Sequence, residues 1–182
     1  MAELDENALA VTKFWRDAGA DAWFAKDDAF DADFRNRFLA QHYAAARREC
    51  DSWAEHTEGS LALMILLDQF PRNCFRGTGH MYATDSLARH FAAKAIAAGH
   101  DLALDAEIRV FLYLPLEHSE DMADQERSVA LHKANAEPYL SYAIEHRDIV
   151  QRFGRFPHRN RMLGRETTAD EQAYLDEGGF SG

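Results

Sequence analysis

Four polar residues on three helical segments stand where the surrounding periodicity places apolar neighbours. Asp68 shares a helical face with Leu61, Met64 and Ile65, His118 and Gln125 lie on a seam with Leu114, Met122 and Val129, and His146 falls among Tyr139, Ala143, Val150 and Phe153. A buried polar group without a hydrogen-bond partner is costly, so three helices presenting such groups inward predict one shared network. Imidazole beside carboxylate is also the equipment of acid–base chemistry. His118 or His146 would act as general base or acid, with Glu120 or Asp121 orienting it. The same groups serve equally well as a satisfied structural network tying helices together.

Anion recognition is the second chemistry on offer. Between Glu145 and Arg165 the chain carries Arg147, Arg152, Arg155, Arg159, Arg161 and Arg165 against only Glu145 and Asp148. Guanidinium forks suit carboxylate or phosphate, and Gly154 and Pro157 force this segment into a turn that gathers them. Arg72, Asn73 and Arg76 after Pro71 form a second group of the same kind. The expected ligand-binding set is therefore Asp68, Arg72, Asn73, Arg76, Gln125, Arg155, His158, Arg159 and Asn160. In so acidic a chain these arginines also have internal partners within reach, among them Asp68, Glu117, Glu120 and Asp121.

Other templates fail. There is no GxSxG, P-loop, GxGxxG or HExxH motif, so no cofactor is expected. Ser119 adjoins His118, but neighbouring helical residues point about a third of a turn apart and do not make a nucleophile–base pair. Glu117, His118, Asp121 and His146 have metal-ligand chemistry, yet the paired Glu-x-x-His signature of helical di-metal sites is absent, and no metal is expected. Cys50 and Cys74 form no CxxC pair and read as reduced structural thiols. The remaining histidines, His42, His56, His80, His90, His100 and His132, belong to no comparable constellation.

Apolar residues recur at spacings of three and four, and four prolines and ten glycines punctuate them, so the chain reads as all-α. An opening helix spans 7–18, and another from about Asp28 carries Phe30, Phe34, Phe38 and Tyr43. The segment 60–69 is apolar around its circumference and is expected to be the most central helix, ending where Pro71 disfavours helical geometry at Phe70. A helix from Asp85 stops at Gly99, one from Asp105 carries Ile108, Phe111 and Leu112, and one from Pro115 to Asn135 begins with proline in its first turn. A further helix over 137–153 ends at Gly154, and the last starts from a capping box at Thr168 and Glu171. Seven or eight helices with short connections predict one domain of antiparallel pairs.

Three stretches carry a resemblance: LLDQFPRNCFRGT (66–78), FLYLPLEHSEDMADQERSVAL (111–131) and HRDIVQRFGRFPHRNRMLGRETT (146–168). Together they resemble the bacterial family catalogued as domain of unknown function 924. The resemblance extends over nearly the whole chain, including Phe14-Trp15 and Trp23-Phe24. It implies an all-α fold of the tetratricopeptide-like superfamily, with helix pairs stacked into a curved array, and it brings no reaction, cofactor or catalytic residue.

Composition narrows the functions that remain. The chain has 182 residues, 47% of them hydrophobic, and a formal net charge of −11, which opposes a general hold on nucleic acid or an anionic membrane. Its longest apolar run, 61–67, is far short of a membrane span, and the opening MAELDENALA is acidic, so a cytoplasmic location is expected. Three readings stay open: a binding module for an anionic small molecule or acidic peptide, an acid–base enzyme of hydrolase-like kind on a phosphorylated or carboxylated metabolite, and a structural or protein-interaction domain. Oligomeric state is not legible.

Overall fold

The computed structural model describes residues 4–181, and all regular structure among them is helical. In chain order the helices are α1 (Glu6–Ala18), α2 (Ala20–Trp23), α3 (Asp28–Ala46), α4 (Thr57–Met64), α5 (Phe70–Cys74), α6 (Asp85–Ala97), α7 (His100–Ala103), α8 (Leu114–Glu117), α9 (Met122–Asn135), α10 (Leu140–Phe153) and α11 (Ala169–Asp176), with 3-10 turns between several of them. No helix among the described residues is long and apolar enough to cross a membrane.

Local chemistry sets most boundaries. The Asp5 carboxylate accepts the Asn7 N–H at the start of α1, and that of Asp27 accepts the Ala29 and Phe30 N–H groups at the start of α3. Gly99 and Gly154 take the left-handed conformation after α6 and α10, at φ 74° and 71°. Thr168 and Glu171 form the reciprocal capping box of α11. On α3, Phe34 and Phe38 are buried against Phe14, with ring centroids 5.3 Å away in both cases. Tyr43 is 39% exposed instead of continuing that stripe. Five residues beyond Phe38, it is turned by about 140° from the stripe at ~100° per residue.

Helix α4 is the hub. Gly59 to Met64 are all buried, and α1, α6 and the 3-10 turns at Asp51–Glu55 and Arg109–Leu112 pack around it. Gly59 is obligatory here, since a Cβ would lie 2.1 Å from the Trp53 carbonyl oxygen.

Three helices differ from expectation. The central helix does not end before Pro71: Ile65–Gln69 form a π turn, and Phe70 is helical at φ −53°, ψ −47°. Pro71 has no N–H for the Leu67 carbonyl four residues back, and the Thr84 hydroxyl donates to that oxygen instead, at 2.5 Å. The neighbouring Leu66 carbonyl accepts from His42 Nδ1 at 2.9 Å. Side chains from other elements thus replace the bonds that proline and the π turn remove.

The helix expected over 115–135 is broken into α8 and α9. Asp121 caps α9 by accepting the Ala123 N–H at 2.8 Å, and Gln125 Nε2 donates to the carbonyls of Glu117 and Ser119, both at 2.6 Å. The helix expected from Asp105 is likewise a turn and a short 3-10 segment, Arg109–Leu112. Both cysteines are free, and burial pushes the Cys50 thiol up to about 11 and that of Cys74 to about 12.

Candidate functional site

The π turn and the break after α8 face one another. Asp68, 1% exposed, accepts from His118 Nδ1 at 2.8 Å and from Gln69 Nε2 at 2.7 Å, while Arg72 Nη1 lies 3.2 Å from its Oδ1. Burial alone would raise the Asp68 carboxyl, but the Arg72 charge and the hydrogen bonds from His118 and Gln69 outweigh it and hold it at about 2. An ionised carboxylate only accepts, so His118 carries its proton on Nδ1 and keeps a lone pair on Nε2. Burial and Arg72 lower the His118 pKa against the pull of Asp68. His118 is a neutral, oriented imidazole in the wall of a cavity of about 460 Å³.

Two more imidazoles are fixed in the same way. His146 Nδ1 donates to the Tyr142 carbonyl and His132 Nδ1 to that of Ser128, each at 2.9 Å and one helical turn back. Burial takes His146 down to about 3 and also lowers His132, so both are neutral. His132 Nε2 then points at Glu117 Oε2 across 3.4 Å, and neither atom has another partner. Burial first, and the Asp68 charge second, raise Glu117 to about 8. The Glu117 carboxyl is therefore protonated at neutral pH.

The cationic wall comes from α5 and the 3-10 turn Pro157–Arg159. Arg72 grips Asp85 with two hydrogen bonds of 2.9 and 3.1 Å. Arg159, 6% exposed, lies between the rings of Tyr82 and Phe156, 4.7 and 4.4 Å from their centroids. Its one carboxylate contact is a long 3.4 Å approach to Asp85, and its Nε has no partner. Burial, then Arg72, lower it to about 10, so it stays charged at neutral pH. His158 beside it is lowered to about 3 by burial and by Arg159, and its Nδ1 is also unpartnered.

One donor atom each from Glu117, His118 and His146 lies within 4.8 Å of the others, and these three residues have the chemistry to hold a metal ion. Arg72 and Arg159 present two guanidiniums to the same cavity, the first paired with Asp68 and Asp85 and the second only distantly with Asp85.

Of the residues singled out from sequence, Arg72, Asn73, Arg76, His118, His146, His158 and Arg159 line this cavity, with Asp68 directly behind His118. Asn73 and Arg76 have their polar ends on Asp31, at 2.7 and 2.9 Å. Gln125 sits behind Glu117 as a backbone tie. The others lie elsewhere. Glu120 accepts the Phe156 N–H and two bonds from Arg165, Arg155 grips Glu171, Asn160 joins Glu171 to Arg165, and Asp121 is an exposed helix cap. The acid that orients His118 is thus Asp68 and not Glu120 or Asp121. His132, Tyr82 and Asp85 are the members that sequence reasoning passed over, and Glu117 entered it only as a metal-ligand candidate and an arginine partner. For His132 a signal existed, since it follows Gln125 by seven residues and so shares its inward face on α9.

Residues 11–179 match the family described as bacterial protein of unknown function (DUF924). The chain belongs to that family. It is similar to a solved structure from Agrobacterium tumefaciens, described as the protein of unknown function ATU0120, at 60% sequence identity and a TM-score of 0.93, over 95% of this chain and 98% of that one. No curated protein matches the chain. Family membership accounts for the fold and leaves the reaction to be argued from the site.

Proposed function

We propose that the protein is an acid–base enzyme that binds a small anionic molecule and moves a proton on it. The observation that carries this reading is the ionised, buried Asp68 holding His118 with Nε2 bare, on a cavity that also contains Arg159 with an unused Nε. Arg159 and His158 receive the phosphate or carboxylate of the ligand, and Arg72, committed to Asp68 and Asp85, adds field more than contact. His118 Nε2 takes the proton, and Asp68 stabilises the imidazolium that forms. Glu117, protonated up to about pH 8, is the proton source on the same wall. The reading takes the chain as one domain of paired helices, tetratricopeptide-like in arrangement.

The buried orphan atoms favour this over a purely structural network. A network that only locks helices together gains nothing from leaving Glu117 Oε2, His132 Nε2, His158 Nδ1 and Arg159 Nε without strong partners.

The test is thermal shift with inorganic phosphate and a panel of carboxylated and phosphorylated metabolites, followed by turnover assays on any compound that stabilises the protein. Arg159→Met is expected to abolish the shift, and His118→Gln to abolish turnover while the shift persists. Turnover that survives His118→Gln refutes the mechanism. Saturable binding with no turnover on any bound compound refutes the enzyme and leaves a binding module. No shift from any anion refutes the ligand site.

A further inference from the structure

The cavity has a second end that the proton-transfer groups do not use. Trp23, Phe24, Leu114, Tyr139 and Tyr142 line it together with the cationic wall. Phe24 stacks on Phe111 with centroids 5.8 Å apart and planes 13° apart, and Tyr139 tilts towards it at 5.8 Å. Trp23 meets Phe111 edge-on, and its Nε1 is fixed by a 2.6 Å bond to the Trp15 carbonyl. Arg159, His158 and His146 group instead around Phe156 and Phe180, so the aromatic lining falls into two separate sets.

Size and exposure say what such a cavity takes. Its 460 Å³ equals about fifteen waters at ~30 Å³ each, which an oxyanion of four or five heavy atoms leaves mostly filled with solvent. Phe24 and Tyr142 are 55% and 56% exposed, although they are built into a wall whose supporting rings are packed and fixed. A bare anion leaves that apolar surface wet. A ligand with a flat apolar body covers it and gains the stacking that Phe24 offers on its free face.

We propose that the substrate class is an aromatic oxyanion, with the carboxylate or phosphate on Arg159 and His158 and the ring between Phe24, Tyr139 and Tyr142. This deepens the function proposed above and rests on its assignment of Arg159 as the anion anchor.

The experiment is calorimetric titration with inorganic phosphate, methyl phosphate, phenyl phosphate, phenylacetate and the uncharged benzyl alcohol, on wild type, Phe24→Ala and Arg159→Met. Phenyl phosphate or phenylacetate, whichever head group the site prefers, is expected to bind at least on the order of tenfold tighter than methyl phosphate. Phe24→Ala is expected to remove most of that advantage and leave inorganic phosphate unchanged, while Arg159→Met weakens every anion. Equal affinity for phenyl and methyl phosphate, both lost in Arg159→Met, overturns the aromatic assignment and leaves the anion site standing. Tight benzyl alcohol binding that is indifferent to Arg159→Met overturns the anion reading and the aromatic oxyanion with it. A Phe24→Ala effect equal on phosphate and phenyl phosphate also overturns the assignment, since it marks a structural change.

Discussion

Replacing Glu117 by glutamine gives the sharpest test of the buried proton between α8 and α9. Folded Glu117 releases its proton only near pH 8, against about 4.5 for an ordinary glutamate in the unfolded chain. Between those values the folded protein holds more protons than the unfolded one, so this carboxyl makes stability fall as pH rises, and the loss is complete only above pH 8. Taken from pH 5 to pH 9, the loss is about 4 kcal/mol at ~1.4 kcal/mol per pH unit. Glutamine keeps the shape, never ionises, and still offers an N–H to His132 Nε2. Urea unfolding of wild type and Glu117→Gln at fixed ionic strength, in steps from pH 5 to pH 9, measures the gap between them. The variant is expected to gain on the wild type steadily, by about 4 kcal/mol over the series. A gap constant to within about 1 kcal/mol refutes the reasoning, because it means that Glu117 is hydrated and ionises at its ordinary value.

On the acid side the sign reverses. His158 and His146 refuse protons when folded, both being lowered to about 3, so stability present above pH 6.5 is lost as pH falls. His158→Gln is expected to spare about 2 kcal/mol of the loss between pH 7 and pH 5 in the same unfolding assay. Thr84→Val leaves the Leu67 carbonyl buried and unpaired beside Pro71, and denaturant midpoints are expected to report about 1–3 kcal/mol of destabilisation. Gly59→Ala drives a methyl group into the Trp53 carbonyl, a backbone atom that yields only if α4 moves. A loss of at least about 1–3 kcal/mol is expected from calorimetric melting, and an unchanged melting temperature contradicts the close approach.

Periodicity alone located the inward polar positions Asp68, His118, Gln125 and His146, because burial of a face follows from spacing. Caps were legible for the same local reason: Gly99, Gly154 and the Thr168–Glu171 pair carry their signals within a single turn. What escaped depends on distant partners. Pro71 reads as a terminator, and only Thr84, thirteen residues further on, tells the chain that the Leu67 carbonyl has another donor. The break between α8 and α9 did carry a local cue in Asp121, but the acidic run 117–121 after Pro115 reads equally well as the first turns of one helix. Orientation of His118 was sought in its sequence neighbours, whereas the acid comes from 50 residues away. Composition counts arginines without saying which are spent: Arg155 and Arg165 are tied to Glu171 and Glu120, and Arg159 has only a distant acid.

That distance between partners also sets an order of events in folding. Helix α4 and the packing around it draw largely on the first two-thirds of the chain, but the Asp68–His118 bond closes a separation of 50 residues and the Arg159–Asp85 contact one of 74. Loops of that length are entropically costly to close and form after local structure exists. A growing chain therefore completes much of its core while the cavity still lacks the His158–Arg159 part of its cationic wall, and it acquires ligand competence only once Arg159 has emerged and docked. Ligand binding then reports the finished fold. In a refolding time course it is expected to lag behind the recovery of helical signal.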